Sequence, residues 1–426
     1  MLRTSLATFV RSVTRPLGFD VVSTRPPLKF SGNIFDTRSS KRALVSSIFH
    51  QVSASDLEWY AHTCRGENWL LAKSLDDLGY QVDLVQRETD LPMEELQAYD
   101  VVVGSGVPVN RLVKSSEAVR PTVIAYWTGS HVLWETYQTA RRLREASAEK
   151  GVVFKSSWRM RDEWTPSIPT FADAIVVTGN DFVARTFEPF TTSPVFPVSL
   201  YGPEIFACDP DEKDFAAARR KFLWFGGHSL VHKGLDLVLD YFLEHPEYEL
   251  HIGGRIEDEP EFAAYYLPRI EAAPNVTYHG FMALNGDRFR EVLSETGFVI
   301  VPSCSESSCA SVLICMINGG LIPVVTPETG VDVGDFGFEI ETTTVEAVGA
   351  SVERAAALSP EEMRKRSQYI LDVERTRYTP DRFHERLREA LRAILEGPGS
   401  GSKGARFSRD GAGLLEGVEG AGVPTP

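Results

Sequence analysis

Two stretches of the sequence carry residue types whose spacing suits the handling of an anion and a sugar. In VPSCSESSCASVLICMINGGLIPVVT, residues 301 to 326, an apolar strand-like run passes into a loop of small polar residues and then into a helix-like run ending at Gly319-Gly320. Glu306 is the one carboxylate of that loop. Beside the amides of Ser307, Ser308 and Cys309 it can accept hydroxyls while the amides hold an anion, a pairing suited to a sugar phosphate. A plainer reading also fits: an acid at a helix N-terminus that stabilises the dipole.

The second stretch is FLWFGGHSLVHKGLDLVLDYF, residues 222 to 242. A strand-like run ends in Gly226-Gly227, a short loop carries His228, and Lys233 stands where an amphipathic helix begins. Glycine lets backbone approach an anion, and orphan amides plus an ammonium stabilise it. A solvated lysine beside an ordinary turn is the competing reading. Arg255, directly after Gly253-Gly254, is a third donor-side candidate.

Composition bounds the function. The chain has 426 residues, 43% hydrophobic and 24% charged, which predicts two soluble domains of roughly 150 to 200 residues each. A formal net charge of -15 argues against nucleic acid as a partner. The five cysteines lack the spacing of a disulfide framework, CxxC pairs are absent, and a reducing, cytoplasmic setting without a metal site is expected.

The elements that must position these residues follow a doubly wound α/β pattern. ALVSSIF, QVDLVQ, DVVVGSG, PTVIAYWTG and AIVVTG read as strands of a first domain, residues 41–200. After a linker at 201–214, FLWFGG, YELHIGG, VTYHG, FVIVPS and IPVVT read as strands of a second, 215–378. Glycines recur at the strand ends, where such sheets bind ligands. Ser359-Pro360-Glu361-Glu362 and Thr379-Pro380 open two late helices, the second (379–396) with an apolar stripe of Phe383, Leu387, Leu391 and Ile394. Residues 1–40 form a basic leader. Within it residues 1–18 carry Arg3, Arg11 and Arg15 against an apolar face, which predicts peripheral contact with an anionic membrane, at the inner face for a cytoplasmic protein. Residues 397–426 are Gly-rich and aperiodic, as a disordered tail is.

Taken together, residues 40 to 396 resemble the retaining GT-B glycosyltransferases of the family 4, or group 1, type, a family that includes many bacterial polysaccharide and lipopolysaccharide sugar transferases. HKGLDLVLDYF is similar to that family's Lys-Gly helix, and VPSCSESSCASVLICMINGGLIPVV to its segment of two glutamates. RGENWLLAKSLDDLGYQVDLV is similar to its Gly-rich first loop and helix, which makes Gly66, Glu67 and Asn68 acceptor-side candidates. The resemblance implies two Rossmann-like domains facing each other across a cleft, and a hexosyltransferase-type reaction. A nucleotide sugar is the donor, a glycan or lipid-linked molecule the acceptor, and no metal or other cofactor is required. Glu306, Lys233 and His131 are the implied residues of transfer. Lys233 and the amides after Glu306 stabilise the leaving diphosphate, Glu306 positions the sugar, and the leaving phosphate helps deprotonate the acceptor. His131, in YWTGSHVLWETYQ, follows a strand near a helix start, where the dipole favours its neutral form. It is read either as a residue contacting sugar or acceptor or as a structural one.

Two positions depart from the family. His228 stands where an arginine usually pairs with the diphosphate, and Ile314 where a second glutamate usually accepts ribose hydroxyls. A hydrogen bond to a charged group contributes ~1.5 to 3 kcal/mol, so losing both weakens donor binding ~100-fold or more unless other residues compensate. The sequence therefore also admits a catalytically degenerate relative that binds a glycan or a partner. A GT-B sugar-nucleotide epimerase fits less well, because no cluster of carboxylates and histidines marks the cleft-facing segments.

Overall fold

In the computed structural model the described residues are 30–48, 63–117, 119–159 and 166–397. The stretch 1–18 expected to contact a membrane, and the expected tail 397–426 apart from Gly397, lie outside them. Two sheets organise the chain. The first comprises β1 (Phe30–Ser31), β2 (Arg42–Ser47), β3 (Gln81–Gln86), β4 (Val101–Gly104), β5 (Thr122–Trp127), β6 (Ala174–Thr178) and β7 (Val195–Val198), in the order β1-β3-β2-β4-β5-β6-β7. Only β1 runs antiparallel. The second comprises β8 (Lys221–Phe225), β9 (Glu249–Gly253), β10 (Val276–Tyr278), β11 (Phe298–Val301), β12 (Ile322–Val325) and β13 (Phe338–Glu339), all parallel, in the order β10-β9-β8-β11-β12-β13. Both are Rossmann-like, as the alternating pattern of the sequence predicts.

Strands such as β4 and β11 are buried along their whole length, as parallel strands covered by helices on both faces must be. The three strands missing from the sequence reading, β1, β7 and β13, are all sheet edges. Two are only two residues long, and β7 carries Pro197, which an edge tolerates because no ladder donor is needed there.

Each sheet reverses its winding once. In the second, β8 leads outward to β9 and β10 before the chain returns to lay β11 on the other side of β8. The loops after β8 and β11 therefore diverge from one switch point, where open α/β sheets bind ligands. That is why Lys233 and Glu306, far apart in sequence, lie side by side. Gly234 makes the approach possible: its φ is +69°, and a Cβ there would meet the carbonyl oxygen of Pro302 at 2.4 Å.

Segment 201–214 is docked along the second unit. Ile205 and Phe206 donate amides to Asn318 Oδ1, and Lys213 Nζ reaches the carbonyls of Thr296 and Gly319. The closing helix Pro380–Glu396 packs against Thr63–Asp77 of the first unit, and Phe383, Leu387, Leu391 and Ile394 are buried beneath it. Ser359 and Thr379 cap their helices as the sequence predicts, accepting from the amides of Glu362 and Arg382. Among the described residues, no helix is long and apolar enough to cross a membrane.

Candidate active site

Glu306 occupies the loop between β11 and the helix Ala310–Gly319. Its amide donates to Glu328 O at 2.8 Å and the Cys309 amide to Thr329 O at 2.9 Å, which pins both ends of the loop. Beneath it, Gly330 has φ +67°, and a Cβ there would overlap the Ser307 carbonyl. The loop is rigid by construction, and its carboxylate projects to the junction between the domains.

Two cations meet that carboxylate. Lys233 Nζ pairs directly with Oε1, and Arg159 Nη1, from the first domain, lies 3.1 Å from the same oxygen. Burial alone would push the Glu306 carboxyl up, but the charges of Arg159 and Lys233 outweigh it and hold the group well below the ordinary carboxylate range. The site therefore keeps a full anion between two cations.

His232, immediately before Lys233, completes the floor. Its Nε2 hydrogen donates to the Ser305 carbonyl, so Nδ1 accepts from Thr139 Oγ1 of the first domain at 2.8 Å. Burial, reinforced by Arg159, lowers its pKa to about 3, so it stays neutral and orients rather than charges the loop. Ser130 Oγ donates to the Glu306 carbonyl at 2.9 Å and closes the contact from the same side.

The other candidates distribute as follows. Gly226 pairs its amide with Gly253 O and packs against Trp224, while nothing lies within 4 Å of where a Gly227 Cβ would be. The His228 side chain is 74% exposed and 3.9 Å from Asp258. Arg255 lies over the exposed Phe281 ring, 4.6 Å from its centroid. Ser307 is half-buried, and Ser308 Oγ accepts the Leu200 amide at 3.3 Å. Because the Cys309 amide is already bonded to Thr329, the amides between the two pinned ends are those of Ser307 and Ser308. Ile314 is buried in the core of the second unit, on a helix whose residues 312–319 are all buried. Its face is apolar because it is packed.

In the first domain, Gly66, Glu67 and Asn68 lie inside the helix Thr63–Asp77, where the sequence reading expected a turn. The run that follows is rich in good helix formers, which carry the single glycine. Glu67 accepts from Tyr126 Oη at 3.0 Å. His131 caps the helix Val132–Lys150, with Nδ1 accepting the Leu133 amide at 3.3 Å and the ring stacked on Phe190, 4.3 Å between centroids. Burial lowers its pKa to about 4. The neutral form foreseen from the helix dipole is present, with desolvation as its cause.

Among the polar residues of this junction that escaped the sequence reading, Arg159, His232 and Glu259 bear most directly on the Lys233 and Glu306 loops. Glu259 binds the amides of Ser229 and Leu230, in the loop after β8, and the Ser157 hydroxyl of the first domain. His232 had a signal, since it adjoins Lys233 at the helix start. Arg159 and Glu259 sit in aperiodic segments, and only the fold brings them in.

No protein-family model matches the chain, and no curated protein matches its sequence. Solved structures do match in fold. A glycosyltransferase from Rickettsia africae superposes with a TM-score of 0.53 at 11% identity, covering 84% of this chain and 100% of the other. HepE of Anabaena in complex with UDP gives 0.53 at 10% identity over 83% and 100%, and its complex with UDP and glucose 0.51 at 10% over 82% and 99%. The fold is GT-B, with two Rossmann-like domains meeting across a cleft.

Proposed function

We propose that the protein is a retaining glycosyltransferase that moves a sugar from a nucleotide donor to a glycan or lipid-linked acceptor. The observation that carries the reading is the Lys233–Glu306 pair at the switch point of the second sheet. One group is suited to phosphate and the other to sugar hydroxyls, and they sit at the place where this architecture binds its ligands. The likeness to a protein whose structures hold UDP and glucose supports it at the level of fold.

In this reaction the bond from the anomeric carbon to the diphosphate oxygen breaks and a bond to the acceptor oxygen forms on the same face. The acceptor proton passes to a departing phosphate oxygen. Lys233 releases Glu306 and takes up the negative charge that grows on the diphosphate. Glu306, relieved of that partner, accepts sugar hydroxyls and fixes the anomeric carbon. Because no side chain forms a covalent bond, the protein contributes by position and electrostatics. His232 and Ser130 keep the Glu306 loop in register while the charges exchange.

The test is turnover of a nucleotide sugar, read as release of nucleoside diphosphate with and without candidate acceptors. Lys233→Ala and Glu306→Gln should each lower the rate by ~100-fold or more, with the circular dichroism spectrum unchanged. Wild-type rates in both variants would remove these residues from the reaction. A wild-type protein that binds donors without any turnover would favour the binding relative, to which His228 and Ile314 also point.

A further inference from the structure

The cleft-side cation from the first domain has no counterpart in the sequence motifs. After the helix Val132–Lys150 the chain crosses onto the second domain and is tied there at three points. Phe154 is buried against Phe262 and Tyr265, with centroids 5.9 and 6.2 Å away. Ser156 bonds Glu261, and Ser157 bonds Glu259, the carboxylate that also holds the amides of the loop after β8. Two residues beyond Ser157 on this strap, Arg159 reaches the Glu306 carboxylate.

The guanidinium is aimed from behind. Its Nε lies 3.0 Å from Glu135, in the first turn of Val132–Lys150, while Nη1 faces Glu306 at 3.1 Å. A guanidinium has several N–H donors in a planar fork suited to phosphate oxygens, and these contacts use only part of it. The side chain is 25% exposed, so a ligand in the cleft can reach it. Both cations crowd one oxygen of Glu306, Oε1, and an incoming diphosphate offers them a new partner.

We propose that Arg159 is a donor-phosphate ligand supplied across the cleft: on donor binding it exchanges Glu306 for a diphosphate oxygen while Glu135 keeps its orientation. The inference rests on the nucleotide-sugar reading above and names how that site recognises its diphosphate. The exposed His228 leaves the second domain with Lys233 as its cation nearest Glu306, and Arg159 adds a second from the opposite wall. Recognition of phosphate is thereby tied to the strap, so the donor is held fully only when both domains contribute.

Calorimetric titration of the full-length protein with the diphosphates of uridine, guanosine, adenosine, cytidine and thymidine, and with the parent nucleosides, tests the assignment. For the diphosphate that binds, Arg159→Ala should weaken affinity ~10- to 100-fold and leave nucleoside affinity unchanged, and Arg159→Lys should lie between. Glu135→Gln, which weakens the rear anchor and keeps Arg159 itself, should weaken it less than Arg159→Ala. Diphosphate affinity unchanged in Arg159→Ala would overturn the inference while leaving the transferase reading intact. So would an equal loss for nucleoside and diphosphate in both Arg159 variants, which marks a structural residue. A wild-type protein that binds none of the five would overturn both readings.

Discussion

Two sets of charges join the domains, and they differ in what water can reach. Along the helix Val132–Lys150, Arg142 Nη2 lies 2.7 Å from Asp236 Oδ2, with side chains 3% and 0% exposed, and Lys150 Nζ lies 2.7 Å from Asp240. At the end of the same seam, Arg159, Lys233 and Glu306 make chemically similar pairs, but with side chains 25%, 14% and 10% exposed. The dry pair is shut off from water, with Glu145 also 3.2 Å from Arg142, and acts as a fixed pin. A pair at the edge of a cleft can be traded for a ligand at little cost, because water and ligand both offer substitutes. One interface thus contains a hinge pin and an exchangeable contact, built from the same residue types.

The largest effect should come from breaking the pin. Asp236→Asn takes from buried Arg142 its closer countercharge and leaves it the partly exposed Glu145 at 3.2 Å, for which a loss of up to ~3 kcal/mol, the low end for a broken buried pair, is expected. Glu306→Gln should cost distinctly less, because its cations can turn to solvent. Urea denaturation of the two variants checks the order. If Glu306→Gln proved the more destabilising, the node would be structural and the contrast between the two regions would fail.

Acidity separates buried groups in a second way. His131 is buried and its pKa falls from 6.5 to about 4. The unfolded chain therefore binds a proton before the folded one does. The stability this group contributes is complete above pH 6.5 and is lost as the pH falls toward 4, up to ~3 kcal/mol across the window. Glu306 is shifted down from 4.5, so its contribution is lost only below that value. His131→Asn, which retains a capping oxygen, should reduce the slope of the stability profile between pH 6.5 and 4, where the depressed His232 and His279 keep the rest of it. Glu306→Gln should flatten it only at lower pH. An unchanged slope in His131→Asn would show that the proton is taken up elsewhere.

Central strands and the two turns were legible in the sequence because their signals are local: unbroken apolar runs, glycines at strand ends, a Ser-Pro or Thr-Pro cap. That Lys233 and Glu306 both stand at strand-to-helix turns of the second domain was legible too, but their direct pairing was not foreseen. Three of the four edge strands of the described residues were missed because pairing on one side demands little of the sequence. Arg159 and Glu259 were missed for a different reason, since each stands in a segment without periodicity whose path is set by packing, as at Phe154. Gly66 misled as a turn signal because one glycine does not stop a helix whose neighbours favour it. Ile314 could be read as a missing acid, but its burial among core residues, with the whole helix end around it, explains the side chain as packing.

The smallest effect concerns His228, where the family usually has arginine. Its side chain lies in water at the end of the loop after β8, with Asp258 3.9 Å away and Arg255 within 4.0 Å of the same carboxylate. An arginine there has space, and a surface pair with Asp258 would hold it back by no more than ~1 kcal/mol. If the loop faces the donor phosphates, His228→Arg should raise nucleoside diphosphate affinity by a few-fold, below the ~10-fold of one well-formed charged contact, because exposure and Asp258 both dilute it. Raising the salt concentration should erase most of the gain, as screening acts on an exposed charge more than on the sheltered Arg159. The gain should also persist in Arg159→Ala, since the two arginines would approach from opposite domains. Titration of both backgrounds at low and high salt measures this. An affinity identical to wild type under every condition would mean that the loop end points away from the phosphates, leaving Arg159 and Lys233 as the cations that hold them.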